Sequence, residues 1–105
     1  MGRIRLQDPD TVLSAVTATG ASTALTMSRT PCSTWQVTGS GTSVGTMKIQ
    51  GSLNGTSWYD LVTFTISADG DQSAFIDEPH RYLRANLTAR TSGTFTVIVC
   101  RGDER

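Results

Sequence analysis

The stretch that decides the fold class of this chain is residues 47–61, MKIQGSLNGTSWYDL. Its first half alternates between apolar and polar residues, with Met47, Ile49 and Leu53 on one side of an extended backbone. A period of two is what a half-buried antiparallel strand requires, because successive side chains of a strand point to opposite faces. The stretch therefore predicts a strand with one face in a core.

The second half of the same stretch turns the chain and begins a new strand. Asn54-Gly55 can supply the positive φ angles of a tight turn. Trp58 follows the turn and is predicted to cap the core with a large apolar surface. The pattern favours a β-hairpin, and none of its residues resembles a catalytic residue.

Composition indicates one neutral domain. The chain has 105 residues, which is enough for a single hydrophobic core. Lys plus Arg and Asp plus Glu number nine each, and this balance argues against a general nucleic-acid binder, which needs a basic excess to neutralise phosphates. No apolar run is long enough to cross a bilayer and no secretory leader is recognisable, so we expect no membrane partner and synthesis in a reducing cytoplasm.

The rest of the chain has the pattern of short strands separated by turns, and no helix is convincing. Gly39-Ser40-Gly41 and Thr91-Ser92-Gly93 are both predicted to turn the chain. Strands spaced about ten residues apart predict an all-β fold, an antiparallel β-sandwich or jelly roll of about eight short strands. The predicted strands cover residues 4–6, 12–17, 23–27, 33–38, 44–53, 58–66, 73–76, 81–88 and 94–100. Residues 58–66 form either one long strand or two strands that break near Val62.

The domain organisation follows from this pattern. We expect a single β-sandwich domain over residues 1–105, with residues 1–9 as an N-terminal arm and residues 101–105 as a charged C-terminal tail. Residues 4–6 are expected to form either a short edge strand or part of that arm. The predicted structural core consists of large apolar residues: Trp35, Ile49, Trp58, Phe64, Leu83, Phe95 and Val97.

The two cysteines, Cys32 and Cys100, are too few for a disulfide framework. Each lies in or beside a predicted strand, which favours buried free thiols. A bridge between them is the alternative, since the two strands could be neighbours. With one histidine and no Cys-x-x-Cys motif, we expect no metal site at these residues.

The other titratable residues do not form a catalytic set. His80 lies in a polar loop without a nucleophile motif or a second histidine, so an exposed loop residue is favoured over a catalyst. Asp69 and Asp71, followed by Asp77 and Glu78, could offer oxygens to a calcium ion. Their spacing falls short of a calcium loop, and an ordinary acidic turn is favoured. We therefore expect no enzyme, no cofactor and no metal.

Candidate interface residues come from two places in the chain. Arg3 and Arg5 belong to the predicted arm, and Tyr82 and Arg84 share the polar side of the strand predicted at residues 81–88. That polar row is predicted to face solvent or a neighbouring subunit, because the opposite side of the strand is apolar.

Three motifs resemble a known class of proteins. Residues 48–61, KIQGSLNGTSWYDL, are similar to the segment QGS-x-(Asp/Asn)-G-x-x-W-x-(Asp)-L of small β-sandwich structural proteins of tailed bacteriophages. Residues 81–87, RYLRANL, resemble their RYxRxN strand, and residues 91–97, TSGTFTV, resemble their TSGTxTV closing strand. The first two motifs also resemble, more weakly, discoidin-like jelly rolls, which bind sugars or membranes through loops.

The phage resemblance implies a non-enzymatic virion component made in the host bacterial cytoplasm. The leading interpretation is that the chain is a capsid decoration or cement protein, which stabilises the head through contacts with the major capsid protein or other virion proteins. A neck or tail component, or a carbohydrate-binding module of a tail, is the alternative. We expect a homo-oligomer, with a trimer favoured, because closed symmetry gives many weak contacts avidity on a repeating lattice.

Overall fold

β-Strands are the only regular elements in the part of the chain that the structure describes. The structure is a computed structural model, and it describes residues 4–6, 8–27, 32–78 and 80–104. No helix that could span a membrane occurs in these ranges. The strands are β1 (Ile4–Leu6), β2 (Asp10–Val16), β3 (Gly20–Ala21), β4 (Leu25–Thr26), β5 (Cys32–Ser52), β6 (Tyr59–Ile66), β7 (Gly70–Ile76) and β8 (Tyr82–Glu104).

Two long antiparallel strands, β5 and β8, form the centre of the fold. They pair from Cys32 opposite Gly102 to Ser52 opposite Tyr82. The first half of β5 also pairs with β7, and the second half pairs with β6. On the other side, β1 and β2 pair with the second half of β8, and β3 and β4 pair with its first half. Each half of the β5–β8 pair is therefore the middle of its own layer. The first layer consists of β7, the first half of β5, the second half of β8, β2 and β1, and the second layer consists of β6, the second half of β5, the first half of β8, β3 and β4.

A bend in both central strands separates the layers. The register of β5 and β8 shifts between Ser40 and Val44, where Gly41 and Thr42 have φ angles of 77° and 58°. Gly93 of β8 has a φ of 85° and lies so close that an added Cβ would be 2.5 Å from the Cα of Ser43. Positive φ at these sites bends the strands as a bulge does, without reversing them.

This bend corrects the predicted strand boundaries. Gly39-Ser40-Gly41 and Thr91-Ser92-Gly93 were predicted to separate short strands, and instead they lie inside β5 and β8. A positive-φ glycine serves a bulge as well as a turn, so the local sequence does not distinguish the two. The described residues form eight strands, but two of them are 21 and 23 residues long.

One hydrophobic core joins the layers. Six of the predicted core residues are buried in it, and Trp35, the largest, is 0% exposed and donates from Nε1 to Ser33 Oγ at 2.8 Å. Because residues of both layers pack into this cluster, the layers face each other and the fold is an antiparallel β-sandwich, as predicted. The six are Trp35, Ile49, Phe64, Leu83, Phe95 and Val97.

Two predictions at the ends of strands are wrong. Leu53 was predicted on the core side, but β5 ends at Ser52 and Leu53 is 68% exposed in the following loop. Residues 101–104 were predicted as a tail, but they continue β8 and pair with β1, for example Arg5 with Asp103. Residues 4–6 were expected to form either an edge strand or part of an arm, and they form the edge strand β1. Residues 1–3 and 7 of the predicted arm and residue 105 of the predicted tail lie outside the described residues.

Candidate binding face

The outer side of the second layer carries an ordered set of polar and aromatic side chains. Alternation along β5 buries Met47 and Ile49, so Lys48 and Gln50 point to the opposite side. We call this surface the Arg84 face and define it by Lys48, Gln50, Trp58, Asp60, Tyr82, Arg84 and Asn86.

Gln50 occupies the centre of the Arg84 face. It lies directly opposite Asp60 of β6 on one side and Arg84 of β8 on the other. Side chains at such opposed positions are the closest neighbours across a sheet. The register of three strands therefore brings a carboxylate, an amide and a guanidinium into one row, although they are distant in the sequence.

Hydrogen bonds hold this row in one arrangement. Gln50 Nε2 donates to Asp60 Oδ1 at 2.9 Å, while Gln50 Oε1 accepts from Arg84 Nε at 2.9 Å and from Asn86 Nδ2 at 3.3 Å. Lys48 Nζ donates to the second oxygen of Asp60 at 2.8 Å. Gln50 is only 8% exposed although it lies on the outer side, because its neighbours cover it.

Arg84 is also held by an aromatic ring. Its Cζ lies 4.2 Å from the centroid of the Trp58 ring, within the range of a cation–π contact. Trp58 is half-buried and does not belong to the hydrophobic core. The prediction that Trp58 caps the core is therefore wrong: the ring lies on the outer face beneath a guanidinium, and Trp35 fills the centre of the core instead.

A loop ordered by side chains supports Trp58. Ser52 Oγ accepts from the backbone N–H of Gly55 at 2.8 Å, and Asn54 Oδ1 accepts from the N–H of Ser57 at 2.9 Å. Gly55 has a φ of 79°, and an added Cβ there would be 3.5 Å from the Tyr82 ring. The predicted Asn54-Gly55 turn is thus a longer loop between β5 and β6 that lies against the Arg84 face.

Hydrogen bonds on the Arg84 face favour the ionised form of the Asp60 carboxylate. The hydrogen bond from Lys48 lowers the pKa of Asp60 below its ordinary value, and the hydrogen bond from Gln50 lowers it further. Asp60 is consequently ionised at neutral pH and pairs with Lys48. Arg84 has no carboxylate within ion-pair distance among the described residues.

His80 lies at the end of the second layer beside Tyr59. The Tyr59 hydroxyl and His80 Nδ1 are 2.9 Å apart, and Nε2 is 3.9 Å from Glu78 Oε1. The side chain of His80 is only 10% exposed, so the prediction of an exposed loop residue is wrong. Packing explains this burial, since a Cβ at Gly51 would be 3.2 Å from His80 Nδ1.

Two of the acidic residues considered as calcium ligands, Asp69 and Asp71, accept hydrogen bonds from β5 instead. Asp69 accepts from the backbone N–H groups of Thr42 and Ser43 at 3.2 and 2.7 Å, and Asp71 accepts from the Thr38 hydroxyl at 2.5 Å. The backbone hydrogen bond from Ser43 is the main reason why the pKa of Asp69 lies below its ordinary value. No group of three or more candidate ligands that could hold a metal is found in the described part of the chain.

The predicted interface residues are only partly assembled by the fold. Tyr82 and Arg84 lie together on the Arg84 face. Arg3 and the side chain of Arg5 lie outside the described residues. Gln50 and Asp60 were not predicted as interface residues, although both are polar positions on the two arms of the predicted hairpin. No disulfide joins Cys32 to Cys100; Cys32 is buried and Cys100 is half-buried.

Comparisons with known proteins relate the fold of this chain to a phage protein. No protein-family model matches the sequence, and no curated protein sequence matches it. The structure is similar to the crystal structure of the SPBc2 prophage-derived protein YomS, with a TM-score of 0.77 and 12% sequence identity. The match covers 98% of this chain and 97% of the other. At this identity the similarity establishes the shared fold.

Proposed function

We propose that this chain is a non-enzymatic structural protein of a tailed-phage virion, and that it acts by docking its Arg84 face onto another virion protein. The observation that carries the proposal is the end-to-end similarity of its fold to a prophage-derived protein. The sequence resemblance to small phage β-sandwich proteins points in the same direction. Capsid decoration is the role we favour, with the major capsid protein as the partner.

The chemistry of the Arg84 face supports a docking role. Tryptophan, tyrosine and arginine are the residues that most often dominate the binding energy of protein interfaces. Trp58, Tyr82 and Arg84 occur together here, and Arg84 is already held by Gln50 and by the Trp58 ring. A side chain that is ordered before binding loses less conformational entropy when the complex forms.

The charge of the face favours a particular kind of contact. Arg84 uses Nε for Gln50, which leaves its terminal nitrogens to donate to a partner. A carboxylate of the partner fits these two donors, because a guanidinium binds carboxylates through parallel hydrogen bonds. We expect binding to weaken as salt concentration rises, since a contact at the rim of an interface is screened by ions.

A neck or tail position is the alternative within the same functional class. The Arg84 face would serve equally well on a head, a neck or a tail, because each is built from repeated protein surfaces. Purified heads and purified tails of the encoding phage separate these roles. Binding to heads alone supports decoration, and binding to tails alone supports the alternative.

A carbohydrate-binding role has less support from the face. Sugar rings stack on exposed aromatic rings, whereas Trp58 is half-buried and Arg84 covers one side of its ring. A glycan array distinguishes the two roles. Binding of any glycan together with quenching of Trp58 fluorescence would contradict the docking proposal and support carbohydrate binding.

Co-sedimentation with purified heads tests the proposed function. We expect wild-type protein to pellet with heads, and Arg84→Ala to bind about tenfold more weakly or worse, because it removes a residue that interfaces use as an anchor. Arg90→Ala is the matched control: Arg90 is exposed on the same strand, and its Nε donates only to the carbonyl of Gly93. Failure of the wild type to bind heads or tails, or equal binding by Arg84→Ala, would contradict the proposal.

A further inference from the structure

The two layers end in strands with unpaired backbone groups. Among the described residues, β6 and β7 pair only with β5, and β1 to β4 pair only with β8. The free N–H and C=O groups of such an edge can pair with a strand of another molecule, so monomeric proteins usually shorten, bulge or charge their edges.

Most edges of this molecule are protected in these ways. β1, β3 and β4 have only two or three residues each. β2 has two register shifts, and Ala15 within it has a φ of 47°. Irregular and very short strands present no continuous row of hydrogen-bonding groups to a partner.

β6 is protected by an irregularity and by charge. Its register shifts so that Val62 pairs with Ile49 while Asp60 pairs with Gln50, which leaves Leu61 as a bulged residue. The Lys48–Asp60 ion pair lies beside this bulge. Gln72 Nε2 also donates to the carbonyl of Thr65 at 3.3 Å, so one acceptor of β6 is already used.

β7 differs from all the others. It pairs with β5 without a register shift from Ile76 opposite Ser33 to Gly70 opposite Gly39. Its sequence, GDQSAFI, contains no lysine, arginine or proline. Phe75 is 52% exposed on its outer side, next to the open edge. A regular edge with an exposed aromatic residue, and with Asp71 near its start as the one charged residue, is the pattern that favours strand addition.

We propose that β7 pairs antiparallel with β7 of a second copy of this chain, so that one layer continues across a two-fold axis into the next molecule. A row of free backbone groups is satisfied best by another strand, and an antiparallel pair of identical strands is self-complementary. The chain has a net charge of zero, so two copies do not repel each other as a whole. This pairing stands independently of the virion part that the protein occupies.

The positions of the side chains fit this two-fold arrangement. In an antiparallel pair the strands run in opposite directions, so Asp71 near the start of one β7 lies toward Phe75 near the end of the other. The two Asp71 carboxylates are therefore kept apart, and each Phe75 ring is covered by the second copy. The pairing predicts a dimer in place of the trimer expected from the sequence.

Sedimentation velocity tests the pairing with two matched double variants. Ser73→Asp/Phe75→Asp adds two carboxylates to the outer side of β7, beside Asp71, and Thr63→Asp/Thr65→Asp adds the same charge to exposed positions of the other open edge, β6. We expect the wild type and the β6 variant to be dimers at about 10 µM. The β7 variant should dissociate at least about 100-fold more readily, because like charges meet across the pair.

Hydrogen exchange on the wild type gives a second measurement that needs no variant. We expect amides of β7 to exchange more slowly as protein concentration rises, while amides of β6 exchange at a constant rate. A monomeric wild type, a trimer, a dimer that the β7 variant leaves intact, or exchange in β7 that does not depend on concentration would each overturn the proposal.

Discussion

Gln50 orders the Arg84 face because its amide bonds to opposite charges on the two neighbouring strands. The donor end of the amide meets the Asp60 carboxylate, and the acceptor end meets Arg84 Nε. Because the Gln50 amide is itself buried, its donor and acceptor groups need these hydrogen bonds, and leaving them unsatisfied would be costly. A single neutral residue thereby aligns Arg84 over Trp58, on the face that we propose for docking.

Replacing Gln50 should destabilise the protein and disorder Arg84. For Gln50→Ala we expect a loss of about 2 kcal/mol in the free energy of unfolding, because three hydrogen bonds are removed from a buried position. Thr63→Ala on the exposed side of β6 is the control and should change stability by less than about 0.5 kcal/mol. Urea denaturation measures both, and equal values for the two variants would contradict the role given to Gln50.

At the scale of elements, the bend in β5 depends on a carboxylate from the β6–β7 connection. Asp69 accepts hydrogen bonds from the backbone of Thr42 and Ser43 and from the Ser43 hydroxyl, at the point where Thr42 adopts positive φ. A non-glycine residue in this conformation is strained and persists only when its surroundings hold it. Asp69 therefore stabilises the geometry that lets one strand serve both layers.

The role of Asp69 predicts a specific dependence of stability on pH. Its pKa is lower in the folded protein than its ordinary value, so its contribution is present above the unfolded pKa and is lost as the pH falls through the folded pKa. Asp69→Asn should be less stable than wild type at neutral pH, and the difference should shrink below about pH 4. Urea midpoints across this range measure it, and a difference that stays constant with pH would contradict the assignment.

The bend also requires a glycine at position 93, because β5 and β8 approach each other closely there. An added Cβ would lie 2.5 Å from Ser43 Cα and 2.7 Å from the Ser40 carbonyl oxygen, both of which are backbone atoms that cannot move independently. For Gly93→Ala we expect a loss of about 3 kcal/mol or more in the free energy of unfolding.

Gly70→Ala is the matched control for that loss. Gly70 also has positive φ, but nothing lies within 4 Å of an added Cβ, so this variant carries backbone strain without a clash. It should cost about 1 kcal/mol. Thermal unfolding of both variants gives the comparison, and a Gly93→Ala variant no less stable than Gly70→Ala would show that the close approach of the strands is unimportant.

The sequence predicts which side of most strands is buried, but it predicts neither the full length of β5 and β8 nor the pairing of distant strands. Alternation places Trp35, Ile49 and Phe95 in the core because it reports a local period of two, and burial of one strand face depends on little else. It places Trp58 wrongly, because the position of that ring is decided by Arg84 on another strand. The same alternation implies that Gln50 points outward, but its central position on the Arg84 face depends on the register of three strands, which no local pattern contains.

At the scale of the whole molecule, the residues that form the core and the residues that we propose for binding lie on opposite sides of the strands. Both layers bury their inner faces in one core, and the outer sides remain for contacts with other molecules. The Arg84 face lies on the outer side of the second layer, and the open β7 edge belongs to the first layer. The two proposals therefore use different layers: β7 of the first layer pairs with a second copy, and the Arg84 face of the second layer docks onto a virion protein.

Quantitative mass spectrometry of purified virions tests the central proposal most directly. Virions of the phage that encodes this chain should contain it in multiple copies, on the order of tens or more, because a structural protein on a symmetric lattice occupies every equivalent site. Its ratio to the major capsid protein should be constant between preparations and should survive washing at moderate salt. Absence of the chain from virions, when it is abundant in the infected cell, would contradict the account.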